Sequence, residues 1–277
     1  MGEDTITILG RHWMLLTVSA AVLVASSILN LIVRSAEMSG IGITAILPVL
    51  PTVIFKTHFG SMWLVKVAAL TAAWISWWIT RQHRGSHTAV VFMFHMGVLI
   101  TFSLSESGHA SDFGDLSLPQ LIDWLHFLTS VLWAGALMTL AYVIPPVATE
   151  MPETKEKIII GIAGRYYSFS WLVLIAVVSS GFYNAVVEVG SFKALASTPY
   201  GRILFAKLFF LFFLSFRYAA FSRHEKDEPG YARQFLSRVR TDAIIVFGVL
   251  ICVALLTHTI PAPHASHAFP SHHMEGM

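Results

Sequence analysis

The apolar residues of this chain fall in seven blocks of roughly 20, each bounded by polar or basic positions. They lie near 13–33, 61–80, 88–105, 121–145, 166–188, 202–222 and 242–260. A helix rising about 1.5 Å per residue crosses about 30 Å of hydrocarbon in that length. Backbone N–H and C=O groups find no water inside lipid, so spans of this kind are predicted to be helices. The fold class expected is all-α, a polytopic transmembrane helical bundle of about seven spans. Ile41–Phe55 is apolar as well, but Pro48 and Pro51 interrupt it. It reads as a re-entrant or interfacial segment, with an eighth span as the alternative.

Composition agrees with the pattern. The 277 residues are 55% hydrophobic and 12% charged, with a mean hydropathy of +0.67. A soluble domain would carry about twice that charged fraction. The first block shows no small-residue cleavage site, so it is expected to be retained rather than removed as a signal peptide. The single cysteine, Cys252, allows neither a disulfide within the chain nor a thiolate cluster, and reads as a small core residue.

Charge then assigns the sides. With Arg11 inside, one set of connections holds Arg81, Arg84, Lys155, Lys157, Arg165, Arg217, Arg223, Lys226, Arg233, Arg238 and Arg240. The opposite set holds Arg34, Lys56, Lys193 and Arg202. The positive-inside rule predicts a cytoplasmic N-terminus and a periplasmic C-terminus. It puts His58, His109, His126, His258 and the chain after Ile260 outside. The basic connections follow from this rule and call for no nucleic acid.

The chain also echoes itself. Thr57-His-Phe-Gly60 and Lys66 match Thr198-Pro-Tyr-Gly201 and Lys207. Ser26-Ser27 and Asn30 match Ser179-Ser180 and Asn184, and His109-Ala-Ser111 matches His264-Ala-Ser266. Four helices separate each span from its echo, which predicts two parallel three-helix repeats joined by a connecting span. The expected organisation is residues 1–120, a connector over 121–150, residues 151–260, and a tail over 261–277.

Candidate chemistry concentrates between Glu106 and Trp133. His109 and His126 sit at neighbouring span ends, separated by acids, Ser, Gly and Pro119, with no Lys or Arg. Histidines facing each other across a short acidic loop suggest a metal or cofactor site. Asp123, His126 and Trp133, spaced three and seven apart, share one helix face. A carboxylate beside an imidazole fixes its tautomer and raises its basicity, as around metal-binding histidines. The alternative is a histidine that caps or hydrogen-bonds within the bundle.

From His258 to the end the chain has five histidines (His258, His264, His267, His272 and His273) and two methionines, Met274 and Met277. Imidazole suits copper, nickel and zinc, and thioether selects copper(I). The interspersed pattern differs from the unbroken run of a purification tag. Lys66 and Lys207 lie one to two turns inside spans at matched positions. An intramembrane lysine is by default a functional candidate, here at a pore mouth, although both could snorkel to the interface. His95, well inside the third span, could serve as a haem ligand if a second buried histidine opposed it. His12, His83, His87 and His224 lie beside basic residues and carry no assigned role. No phosphate-binding Gly-rich loop and no Cys-x-x-Cys-His haem attachment occurs, so no nucleotide is expected.

At these residues the chain resembles the copper resistance protein D family and the CopD-like half of longer bacterial copper-uptake proteins. The resemblance rests on Gly108-His109-Ala110, Asp123-x-x-His126, Trp133-x-Gly135-x-Leu137, and Thr198-x-Tyr200-Gly201 with Lys207. It runs from about Gly60 onward and is strongest from Asp123 to Thr257. It implies a bacterial inner-membrane protein that handles copper. The expected function is copper transport or handover at the periplasmic face through His109, His126, His258 and His264. The tail, with His267, His272, His273 and Met274, would act as a capture arm. One alternative is a cytochrome-like subunit holding haem b through His95, His126 and His258. Another is an assembly subunit that delivers copper to a membrane cuproenzyme. The partners expected are the copper ion, the lipid bilayer, and a periplasmic copper chaperone or a membrane cuproenzyme. No enzymatic activity is expected.

Overall fold

A computed structural model of the chain describes residues 3–82, 87–106, 114, 116–144, 152–189, 198–221 and 230–256. The elements there are α1 (Glu3–Ser39), a 3-10 turn (Ile43–Ala45), α2 (Leu50–Lys56), α3 (His58–Gln82) and α4 (His87–Ser105), followed by α5 (Leu118–Val143), α6 (Glu153–Val189), α7 (Pro199–Phe221) and α8 (Tyr231–Leu256). No strand occurs among the described residues. Seven of the helices are long and apolar enough to cross a membrane. Large side chains on them stand open, including Leu172, Phe182, Phe212 and Ile244, each more than 70% exposed. So much bare hydrocarbon on a helix surface calls for lipid as the solvent.

The Ile41–Phe55 stretch forms only the turn and the seven-residue α2. At 1.5 Å per residue α2 covers about 10 Å, too little for a span, so the eighth-span alternative falls. Helices α1, α6 and α8 begin well before hydropathy predicts, α1 already at Glu3. α6 starts at Glu153, with Glu153 and Glu156 in its first turn, where negative side chains suit the helix dipole. α8 starts at Tyr231 because Tyr231, Ala232, Phe235, Leu236 and Val239 bury one face while its arginines occupy others. Hydropathy averages the two faces away.

The chain divides into two compact units, residues 1–128 and 129–277, with the division inside α5. In the first unit, α3 packs along α4 and also meets α1 and α2. Trp63 Nε1 donates to the Ser27 carbonyl at 3.0 Å, joining α3 to α1. Ser76 Oγ donates to the Ala89 carbonyl at 3.1 Å, joining α3 to α4. The α2–α3 corner depends on Gly60. A Cβ there would lie 2.2 Å from the Val53 carbonyl oxygen and 2.4 Å from that of Ile54.

In the second unit, α8 packs on α7 and α6. Its core contains Trp133 and Leu137 of α5, Tyr166 and Val173 of α6, Leu214, Tyr218 and Phe221 of α7, and Tyr231 and Phe235 of α8. Phe221 and Tyr231 stack at 5.2 Å, and Tyr167 lies 4.8 Å from Tyr218 between ring centres. The Tyr218 hydroxyl donates to the Tyr167 carbonyl. Charged groups here are paired. Arg217 Nε lies 2.6 Å from Asp242 Oδ1. Arg238 sits 4.6 Å above the Phe221 ring. Arg240 donates to the Ile144 carbonyl at 3.1 Å, satisfying a group just past the end of α5.

Candidate metal centre at the junction of α4 and α5

The approach to α5 is a tight turn. Gly114 and Leu116 both have positive φ, 99° and 60°, and the Ser117 amide donates to the Gly114 carbonyl at 3.1 Å. Leu116 carries a steric penalty there that glycine would not. Ser117 then starts the helix, its carbonyl accepting from the Leu121 amide at 2.9 Å. Pro119 fits the first turn, where its missing N–H is no loss.

The first turns of α5 face the last turns of α4 through polar side chains. Ser105 Oγ donates to Asp123 Oδ2 at 2.6 Å, and Gln120 Nε2 donates to Ser105 Oγ at 3.1 Å. One turn further in, Trp124 Nε1 donates to Thr101 Oγ1 at 3.2 Å, and the Trp124 ring meets Phe102 edge-on at 5.6 Å. Gln120 is fully buried and its Oε1 has no hydrogen-bond partner. Glu106, just past α4, is 3% exposed. This end of the first unit thus holds one buried and one half-buried carboxyl group, an amide oxygen without a donor, and a hydroxyl that orients the half-buried carboxylate. Burying such groups is costly unless something positive or protic meets them.

His126 is half-buried on α5, three residues beyond Asp123 and on the same face. Ser105 fixes the Asp123 carboxylate on the helix face that also carries His126. Among the described residues no three His, Cys, Asp or Glu side chains converge tightly enough to hold a metal ion. His109, His258, His264, His267, His272, His273 and Met274 lie outside the described residues.

The remaining predicted residues are dispersed. Trp133 is buried in the core of the second unit, beside Leu137. Lys66 is buried in α3 at 2% exposure, while Lys207 on α7 is half-exposed. His95 is exposed on α4, with Nδ1 2.7 Å from the Val91 carbonyl, so the burial a haem ligand needs is missing. Ser105, Glu106 and Gln120 are the residues that sequence reasoning passed over. Their signal was polar side chains on the last turn of one apolar span and the first turn of the next.

Seven helices long and apolar enough to span a bilayer define a class: a polytopic helical membrane protein. Comparison with known proteins narrows the class. Residues 5–118 match the family model described as copper resistance protein D-like, N-terminal domain, and residues 160–256 match that of copper resistance protein D. The chain belongs to the copper resistance protein D family. It is 26% identical over 200 residues to copper resistance protein D of Pseudomonas syringae pv. tomato, covering 70% of this chain and 63% of that protein. It is 24% identical over 216 residues to the copper transport protein CutJ of Bacillus subtilis (strain 168), covering 76% of this chain and 38% of that protein. The chain thus spans less than two thirds of the length of either curated relative. No solved structure matches it.

Proposed function

We propose that this protein takes up copper at the periplasmic face of the bacterial inner membrane and transports it or hands it on. The observation that carries the reading is the hydrogen-bonded Ser105–Gln120–Asp123 cluster, with His126 one turn along the same helix. Copper is the substrate. His126 and His109 would be its ligands at the helix ends, joined by His258 and His264. Copper(I) accepts two or three imidazole or thioether ligands, so the histidines of the tail, with Met274, can capture the ion and exchange it stepwise. Asp123 would orient and polarise the His126 imidazole, and Ser105 would hold Asp123. The N-terminus would be cytoplasmic and the C-terminus periplasmic, with a periplasmic copper chaperone as donor or a membrane cuproenzyme as recipient. No catalytic step is assigned.

Elemental analysis and a visible absorption spectrum of the purified full chain, loaded with copper(I), test the reading. Bound copper in the parent is expected, with less after deletion of residues 261–277 and almost none when His126→Ala is added. Equal copper in all three proteins contradicts it. A Soret band in the untreated protein would favour the haem b alternative.

A further inference from the structure

The first unit carries a second feature, far richer in apolar than in polar surface. A cavity of about 540 Å³ lies among α1, α3 and α4. Its lining runs from Leu16 to Ile28 on α1 and from Trp63 to Trp77 on α3. At 1.5 Å per residue those stretches are about 18 and 21 Å long. The cavity is therefore long and narrow, with room for one chain rather than two. No charged residue lines it.

The Ser27 hydroxyl in it is unmatched. Ser27 is 5% exposed, lines the cavity, and its Oγ has no hydrogen-bond partner. Serines in helices commonly bond back to a carbonyl of the preceding turn, as neighbouring Ser26 does to the Leu23 carbonyl at 3.1 Å. Ser27 Oγ does not. Its backbone carbonyl instead accepts from Trp63 Nε1 at 3.0 Å, which anchors the indole at this end of the cavity. A buried donor left without an acceptor is costly, and a ligand carbonyl would relieve that. Small-molecule sites have this form: apolar and aromatic walls with a few placed polar groups.

We infer that the cavity binds a neutral, single-tailed, lipid-soluble quinone, its ring against Trp63 and one carbonyl accepting from Ser27 Oγ. The uncharged lining excludes fatty acids and phospholipid headgroups, which would bring a charge into hydrocarbon. The narrow length excludes a two-chain lipid. A plain alkyl chain would leave the Ser27 hydroxyl as unmatched as before. The inference stands apart from the copper reading and needs none of its residues.

Titration of the purified full chain in detergent with decylubiquinone, followed by tryptophan fluorescence, tests it. Trp63, Trp74 and Trp77 line the cavity, so saturable quenching is expected. Gly97 also lines it, and a Cβ there would meet nothing within 4 Å, so Gly97→Leu fills the space without a clash at its base. That variant should lose the saturable quenching. Ser27→Ala keeps the volume and removes one neutral hydrogen bond, so binding should weaken about fivefold. Quenching in the parent that never saturates would overturn the assignment, as would unchanged affinity in either variant.

Discussion

The two units start a helix in the same way and then use the space behind it differently. In the first unit Thr57 Oγ1 accepts from the Gly60 amide at 3.0 Å, and the Thr57 carbonyl accepts from Ser61 at 3.1 Å. In the second, Thr198 Oγ1 accepts from the Gly201 amide at 3.0 Å, and the Thr198 carbonyl accepts from Arg202 at 3.1 Å. Behind α7 and α8 the charged groups are closed among themselves, Arg217 with Asp242 and Arg238 over Phe221, and only Ser170 Oγ and Trp133 Nε1 stay buried without a partner among the described residues. Behind α3 and α4 the closure is less complete. Lys66 is buried, Ser27 Oγ and Gln120 Oε1 lack partners, and a long cavity runs between the helices. A half that joins unmatched polar groups to a long cavity is where a ligand is expected.

The largest expected effect falls on the corner that sets up the open half. Gly60→Ala puts a Cβ against two backbone carbonyls that cannot swing aside, and should destabilise the protein by about 3–4 kcal/mol. Melting in detergent checks this, with Gly97→Ala, which meets nothing, as the silent control. Next comes the ion pair of the closed half, its side chains 23% and 20% exposed. Arg217→Ala leaves Asp242 unpaired, at a cost of about 2–3 kcal/mol after allowing for partial exposure, whereas Arg217→Met with Asp242→Leu should recover most of it. Recovery would mark the pair as structural; a double variant that stays folded but stops handling copper would place function in the second unit. The smallest effects should be the equal ones. Thr57→Ala and Thr198→Ala each remove one helix cap, for about 1 kcal/mol. A large difference between them in the same melting experiment would break the parallel between the two helix starts.

Much of this organisation is legible in the residues. Block length alone predicts seven spans, because lipid thickness dictates it. The internal match pointed to Thr57 and Thr198 before their capping role was visible. The helix ends were less legible. Hydropathy places the last span near 242, yet α8 begins at Tyr231, because an amphipathic turn with one buried aromatic face averages to a polar one. Of the candidate centre, the Asp123–His126 spacing could be read, since three residues on a helix guarantee a shared face. Its partners could not. Ser105 reaches Asp123 across 18 positions of sequence, and serine is common in membrane helices. The cavity had no signature at all, because a void is a property of packing between helices and not of any one of them.

The most direct measurement is a copper(I) competition titration of the full chain against a chromogenic chelator, comparing the parent with Asp123→Asn and His126→Ala. Asp123→Asn should weaken binding about 10-fold or more by removing the charge that polarises the imidazole, and His126→Ala should weaken it further. If both variants hold copper(I) as tightly as the parent, the junction of α4 and α5 is not where the ion is met.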